Sequence, residues 1–394
     1  MLLNVLTRRA ACVARACMAL LLAAVVAVPG RAEVAPLPSP PMAEATAYVL
    51  MDADSGTVLA QLGADVAHPP ASLTKIMTAY IIEGEIASGR IGVDDMVPIS
   101  VNAWQMGGSE MFIREGTQVK LQELLRGVII VSGNDAAVAL AEYVAGNEAT
   151  FVDQMNSMAK RLGMRNTHFE NVSGLPAVGH VSSAHDLALL AAHVVDDYPN
   201  QYKIYSEKTF VYDGIAQPNR NQLLFSDRTV DGMKTGWTDE AGYCLIASSK
   251  RDDMRLIAVI LGAPSPNARA RDAAKLLTYG FRYFQTHRLY GARQVVKSTP
   301  VWSGADDELE LVPEHPVNIT LQRGRYKDLV PEAEVPRIVR APIAAGQRIG
   351  VLRLRLDGKV VMQMPLLAKQ AVEPGGFIKR FFHGIYIFFS ELFS

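Results

Sequence analysis

Ser72 and Lys75 stand three residues apart in HPPASLTKIMTAYII. A serine hydroxyl becomes a useful nucleophile only when a base takes its proton, and a neutral lysine amine is such a base. Holding Lys75 neutral at pH 7 would cost roughly 4–5 kcal/mol in water, starting from a reference pKa of about 10.4. Burial beside a second cation lowers that cost, and Lys234 is the cation expected to supply it. Ser132-Gly133-Asn134 adds a hydroxyl able to relay a proton and an amide able to hold a substrate. Lys234-Thr235-Gly236 adds a charge and a hydroxyl suited to a carboxylate, with a glycine that admits an extended substrate beside a strand. Each motif alone is common: Ser157-Met158-Ala159-Lys160 repeats the first spacing on a charged helix without companions. In this order the three make a set fit for serine acyl transfer.

These residues need elements to position them. Pro69-Pro70 suits an extended entry into a helix that starts at Ser72, so Ser72 and Lys75 share a face. The free N–H groups of that helix start are suited to a developing oxyanion. Residues 121–145 and 151–162 carry helical periodicity, and Ser132 and Asn134 fall where an N-cap is expected as well as a catalytic turn. Ser183 and Asp186 predict a capping box before the helix through 187–195. Strands are predicted at 47–51 and 57–61 around a 52–56 turn, at Lys234-Thr235-Gly236, and at 243–249 and 254–262 as a hairpin.

From Leu289 to about 372 the long helical patterns stop. Leu352, Leu354 and Leu356 alternate with Arg353 and Arg355, and Asp357-Gly358 then predicts a tight hairpin turn. A small all-β domain is expected there. In residues 375–394, Phe377, Phe381, Ile385, Phe388 and Leu392 recur at helical spacing, widened by Ile378, Phe382, Phe389 and Phe393. Lys379, Arg380 and His383 fall on the other side, which fits a helix lying in a membrane interface.

At the other end Arg8, Arg9 and Arg15 precede an apolar run too short to span a bilayer, followed by small residues up to Ala32. That is the pattern of a secretory signal. Removing its four arginines takes the formal charge from −1 to −5, and neither value favours a nucleic-acid partner. Cys12 and Cys17 leave with the signal, so the mature chain keeps Cys244 alone and cannot close an internal disulfide. Cys244 lies in a β-type run and reads as a small core residue. His180, His185 and Asp186 do not follow a metallopeptidase spacing, and no phosphate loop or dinucleotide fingerprint occurs; no cofactor or metal is expected.

The longer stretches ASLTKIMTAYI, VSGNDAAVALAEYVAG, MNSMAKRLGMRNTHFENVSGL and DGMKTGWTDEAGYCLIAS resemble the low-molecular-mass penicillin-binding proteins that are serine D-alanyl-D-alanine carboxypeptidases. The resemblance implies an α+β fold: a penicillin-binding, β-lactamase-like transpeptidase domain with an antiparallel sheet and flanking helices, then an all-β domain and an amphipathic helix. The expected plan is a signal peptide at 1–32, a linker at 33–46, a catalytic domain at 47–288, an all-β domain at 289–374 and a membrane-anchor helix at 375–394. Ser72 would attack the carbonyl between the last two D-alanines of a peptidoglycan stem, Lys75 would take its proton, and Ser132 would relay a proton to the leaving D-alanine. Asn134 would hold the substrate amide, and Lys234, Thr235 and Gly236 the carboxylate side, while the N–H groups of Ser72 and Trp237 form an oxyanion hole. Arg220 and Arg269 align with family arginines at the cleft, although APSPNARARD around Arg269 departs from the more basic, glycine-containing pattern. Trp237 stands where the family often has His. The implied partners are the D-Ala-D-Ala stem, β-lactams as covalent inhibitors and the outer face of the cytoplasmic membrane, in the periplasm. A serine β-lactamase with an SDN motif would need a Glu-x-x-Leu-Asn loop, but the chain reads Phe169-Glu170-Asn171-Val172-Ser173-Gly174. The same motifs would also suit a D,D-endopeptidase, or a non-catalytic wall-binding protein that keeps the cleft.

Overall fold

The computed structural model describes residues 36–392, so the expected signal segment at 1–32 lies outside the described residues, as does the start of the linker. β1 (Ala47–Asp52) and β2 (Val58–Leu62) pair as a hairpin across the expected turn. Short hairpins β3 (Met96–Pro98) with β4 (Gln118–Lys120), and β5 (Thr209–Tyr212) with β6 (Ile215–Pro218), lie between helical segments. β7 (Val230–Thr238), β8 (Gly242–Arg251) and β9 (Met254–Ala263) complete an antiparallel sheet of order β2-β1-β9-β8-β7. The Lys234-Thr235-Gly236 motif therefore occupies an edge strand.

Period-2 alternation divides this sheet between two cores. Val49, Met51, Ile257 and Val259 pack with the helix Lys75–Ala87 and its neighbours, while Leu50, Leu256, Ala258 and Ile260 pack against the helix Pro266–Tyr283. Covering both faces explains why β1 reads as an almost unbroken apolar run. The helix Lys75–Ala87 is buried along most of its length, so its side chains are apolar nearly all round. Cys244 is buried in β8, as a core residue would be.

Two local expectations fail. The stretch 121–145 does break at the turn expected at Ser132-Gly133-Asn134, but not through a cap: Leu121–Arg126 is α-helical, Gly127–Val131 forms a π turn, and Ser132 is left-handed with φ 66°. The next helix, Asn134–Ala145, has Gly133 at its N-cap and no side-chain cap bond, so neither Ser132 nor Asn134 caps it. The π turn carries the chain past the point where a cap would form, a device often met at functional sites. At the helix Ala184–Asp197, Ser183 Oγ does accept the Asp186 N–H. The reciprocal half of the box is missing because the Asp186 carboxylate instead accepts from Asn166 N–H and Thr167 Oγ1.

The second domain is built from β10 (Phe284–Tyr290), β11 (Lys297–Trp302), β12 (Glu308–Pro313), β13 (Val317–Gln322), β14 (Leu329–Glu334), β15 (Val339–Arg340), β16 (Arg348–Leu356) and β17 (Lys359–Ala368). β10 pairs with β13, and the rest form a sheet of order β14-β16-β17-β12-β11-β15. The expected border at 288/289 falls inside β10, whose pairing with β13 begins at Phe284. Asp357 and Gly358 both have positive φ, 50° and 74°, which a tight type I′ hairpin turn requires. The domains are latched together: Thr286 Oγ1 donates to Asp52 Oδ2 at 2.6 Å, and the hydroxyls of Ser55 and Thr320 lie 2.7 Å apart.

A last helix, Phe377–Leu392, docks on this domain. Tyr386 stacks on Trp302 at 4.6 Å, Ser303 N–H donates to His383 Nδ1, and Lys379 pairs with Asp307 at 2.8 Å. Lys379 and His383 thus face the protein, while Arg380 and the aromatic and aliphatic side chains of Phe377, Ile378, Phe381, Phe382 and Phe388 remain exposed. Among the described residues no helix is long and apolar enough to cross a membrane.

Candidate active site

Ser72 lies in a 3-10 turn, Ala71–Thr74, that leads directly into the helix beginning at Lys75. Residues three apart eclipse in 3-10 geometry, which brings Lys75 Nζ to 3.2 Å from Ser72 Oγ. The turn is clamped from two sides. A Cβ on Gly236 would lie 3.1 Å from Ala71 Cβ, Pro70 O and Ser72 N, and one on Gly174 would lie 1.8 Å from Ala71 O. Gly236 was expected to admit substrate; it first admits the nucleophile's own turn.

Lys75 is 1% exposed, and its Nζ also donates to Asn134 Oδ1 and Ser173 O, both at 2.6 Å. Burial, and secondly the charge of Arg220, lower its pKa to about 7. Arg220 is therefore a second cation that helps to keep it neutral, beside the expected Lys234, whose repulsion with Lys75 acts on both amines. Lys234 itself is held well below the usual lysine range by burial first, and then by Lys75, Arg220 and Arg269. Lys234 Nζ donates to Thr235 O at 3.0 Å. A buried amine so placed gains from a carboxylate that enters the cleft.

Ser132 Oγ is buried and, among the described residues, has no hydrogen-bond partner. Buried hydroxyls are rarely left so, and this one borders a cleft of about 290 Å³ lined by Ser72, Ser109, Ser132, Arg220 and Thr235 with Trp237, Tyr243 and Arg269. Asn134 has much of its amide engaged within the protein: Oδ1 accepts from Lys75 and Nδ2 donates to Gly107 O at 2.7 Å. Its observed work is to tie Lys75 to the loop over the cleft. Arg220 Nη1 donates to Ser109 Oγ on the same rim, and Arg269 Nη1 donates to Gly236 O and Cys244 O.

The structure thus brings Ser72, Lys75, Ser132, Asn134, Lys234, Thr235, Gly236, Trp237, Arg220 and Arg269 to one place. Sequence reasoning missed Asp135, whose buried carboxylate accepts from the N–H groups of Met111, Phe112 and Ile113 and so pins the cleft's loop. It also missed Ser173-Gly174 and Tyr243. Only the position of Asp135, directly after Ser132-Gly133-Asn134, signals its role. Ser157 and Lys160 are exposed on the helix Glu148–Arg161, with Arg161 reaching Ser157. His180 contacts Thr74 Oγ1 and the Glu170 N–H, while His185 lies near Asp65. A larger groove of about 800 Å³ lies at the domain junction, between Lys250, Asp253, Arg288 and Arg323. It is lined by charges of both signs, and its Thr286 hydroxyl is engaged in the contact with Asp52 that joins the domains.

A two-core α+β domain with Ser72 at the cleft, paired with a buried Lys75 and facing a Lys-Thr-Gly edge strand, defines a serine acyl-transfer enzyme. The family described as D-alanyl-D-alanine carboxypeptidase matches residues 35–265, and the penicillin-binding protein 5 C-terminal domain matches residues 284–374. The chain is 41% identical to D-alanyl-D-alanine carboxypeptidase DacA of Escherichia coli K12, covering 91% of each. It is 42% identical to DacC of the same strain, over 90% of each. The crystal structure of penicillin binding protein 5 from Haemophilus influenzae superposes with a TM-score of 0.81 at 41% identity, covering 85% of this chain and 99% of that one. The chain belongs to the D-alanyl-D-alanine carboxypeptidase family of serine D,D-peptidases.

Proposed function

We propose that the protein removes the terminal D-alanine from peptidoglycan stems through an acyl-enzyme on Ser72. The observation that carries this is Lys75 Nζ at 3.2 Å from Ser72 Oγ, buried and with its pKa lowered to about 7. Neutral Lys75 takes the Ser72 proton as Oγ attacks the penultimate D-alanine carbonyl. The N–H groups of Ser72 and Trp237 hold the oxyanion. The serine proton passes from Lys75 through Ser132 to the amide nitrogen as the C–N bond breaks and D-alanine leaves, which returns Lys75 to its neutral form. Water then attacks the ester, gives its proton back through Lys75, and frees Ser72 with the shortened stem. Lys234, Thr235 and Arg269 receive the terminal carboxylate, and Arg220 borders the opposite rim. Asn134 positions Lys75. No cofactor enters.

β-Lactams present a strained amide to the same serine and should stay bound as esters. The exposed aromatic side of the helix Phe377–Leu392 supports attachment to a membrane surface, and the basic and apolar pattern of residues 1–32 supports export to the periplasm, facing the outer leaflet of the cytoplasmic membrane. The test is incubation with muropeptides ending in D-Ala-D-Ala beside a Ser72→Ala control. Free D-alanine from wild type alone is expected. Rapid hydrolysis of benzylpenicillin without D-alanine release would make it a β-lactamase, cleavage of cross-linked dimers alone an endopeptidase, and no labelling of Ser72 by penicillin a binding protein.

A further inference from the structure

One wall of the cleft is aromatic, and no step above uses its side chains. Trp237 and Tyr243 are directly opposed across β7 and β8, with ring centroids 5.8 Å apart and planes at 32°. The pair is braced from behind. Arg269 lies 5.6 Å from the Tyr243 ring centroid, and its Nη1 bridges the carbonyls of Gly236 and Cys244, themselves cross-strand partners. On this support Trp237 stays 51% exposed, whereas Thr235 and Arg269 beside it are 6% and 8% exposed. A large indole held open at the mouth of a polar cleft is surface that a ligand can cover.

Strand geometry says which part of a ligand. Thr235 and Trp237 are two residues apart and share a face, roughly 6–7 Å along the strand. A carboxylate held by Thr235 and Arg269 therefore leaves the side chain on the same residue within reach of the indole. Ser109 and Arg220 lie on the other rim, away from this contact. The indole does not titrate and offers one N–H; its face also attracts cations, but Arg269, 5.6 Å from the adjoining Tyr243 ring centroid, opposes a second one, so what the pair rewards is apolar contact.

We propose that the Trp237–Tyr243 pair is a specificity wall for the leaving residue, selecting peptides whose last residue carries an apolar side chain. This rests on the reading above that the terminal carboxylate binds on the Thr235–Arg269 side. A single methyl group against such a surface discriminates by about tenfold or more. Peptides ending in D-Ala-Gly, D-Ala-D-Ala, D-Ala-D-Leu and D-Ala-D-Lys should show kcat/KM for D-Ala and D-Leu at least about tenfold above Gly, with D-Lys below D-Leu. Trp237→Ala should shrink the D-Ala to Gly ratio to about twofold or threefold, whereas Trp237→Phe, which keeps a ring, should retain most of it. In Ser72→Ala protein, adding the D-Ala-D-Ala peptide should shift indole emission, and the shift should vanish when Trp237→Phe is added. Penicillin labelling of Ser72 in each variant that retains Ser72 reports separately whether the acylating machinery is intact. With labelling intact, an unchanged ratio in Trp237→Ala overturns the wall, as does selectivity that follows the penultimate residue. Loss of labelling in wild type would overturn the Ser72 reading and the wall with it.

Discussion

At Lys75 opposite influences meet. Burial and Arg220 disfavour its charged form, while Asp135 favours it, and the balance leaves the amine at about 7. A base must be neutral to accept the serine proton, so the rate of Ser72 acylation by labelled penicillin should rise about tenfold per pH unit below 7 and level off above it. Replacing Arg220 by Gln removes a positive neighbour, lets Lys75 keep its proton to higher pH, and should move the inflection upward. Because Arg220 also lines the cleft, the position of the inflection is the measurement and the plateau height is not. An inflection that stays put or moves down in Arg220→Gln would rule out this account of Lys75. The Ser72–Lys75 relation was legible because both partners lie within one turn of chain. The added contribution of Arg220 was not, since Arg220 is placed by a rim contact with Ser109 that joins residues 111 apart in sequence.

The elements that hold these side chains were legible to different degrees for a physical reason. Alternation and turn chemistry marked the β8–β9 and β16–β17 hairpins, because strand period and a tight turn are written locally. The π turn Gly127–Val131 leaves helical periodicity almost untouched, so the left-handed Ser132 it delivers was read as a helix cap. Likewise, the Phe169–Gly174 stretch was informative only for lacking a β-lactamase loop. Its structural work is to cross the nucleophile's turn: Asn171 Oδ1 accepts from Gly174 N–H, and Thr78 Oγ1 donates to Val172 O, which places Ser173 O on Lys75. Gly174 has φ +82°, and a Cβ there would meet Ala71 O at 1.8 Å. Gly174→Ala must push the two backbones apart, and a displacement on the order of 1 Å costs roughly 10²-fold in acylation. Stopped-flow labelling with penicillin checks this, with a thermal melt to show that the variant is folded. A folded Gly174→Ala protein with wild-type acylation would mean that this crossing does not set the Ser72–Lys75 geometry.

Over the whole molecule the cleft and the last helix are carried by different domains. The edge strand β7 leaves the cleft open, while the latch of Asp52 and Ser55 to Thr286 and Thr320 ties the catalytic domain to the β domain that carries the last helix. Helical spacing in the sequence gave that helix its two sides, and basic residues were expected to face lipid headgroups. Docking takes up part of the polar side: Lys379 is spent on Asp307 and His383 on the Ser303 N–H, which leaves Arg380 as the exposed basic residue of the three and limits its attraction to anionic lipid to about 1 kcal/mol. Membrane binding should then be driven by the open face, where Phe381 is 58% and Phe382 64% exposed. Burying one such ring is worth about 1.5–3 kcal/mol. Sedimentation with phosphatidylethanolamine–phosphatidylglycerol vesicles should show Phe381→Ser with Phe382→Ser weakening partition by about 10²-fold or more. Lys379→Ala should change it little, and raising salt from about 0.1 to about 0.5 M should cost less than about tenfold, since screening removes at most the attraction of the exposed Arg380 and leaves apolar burial in place. If instead the Phe double variant binds like wild type while salt or Lys379→Ala strips the protein from vesicles, the helix must leave its dock and present its basic side to lipid. Binding unaffected by either change would assign membrane attachment to a different part of the chain.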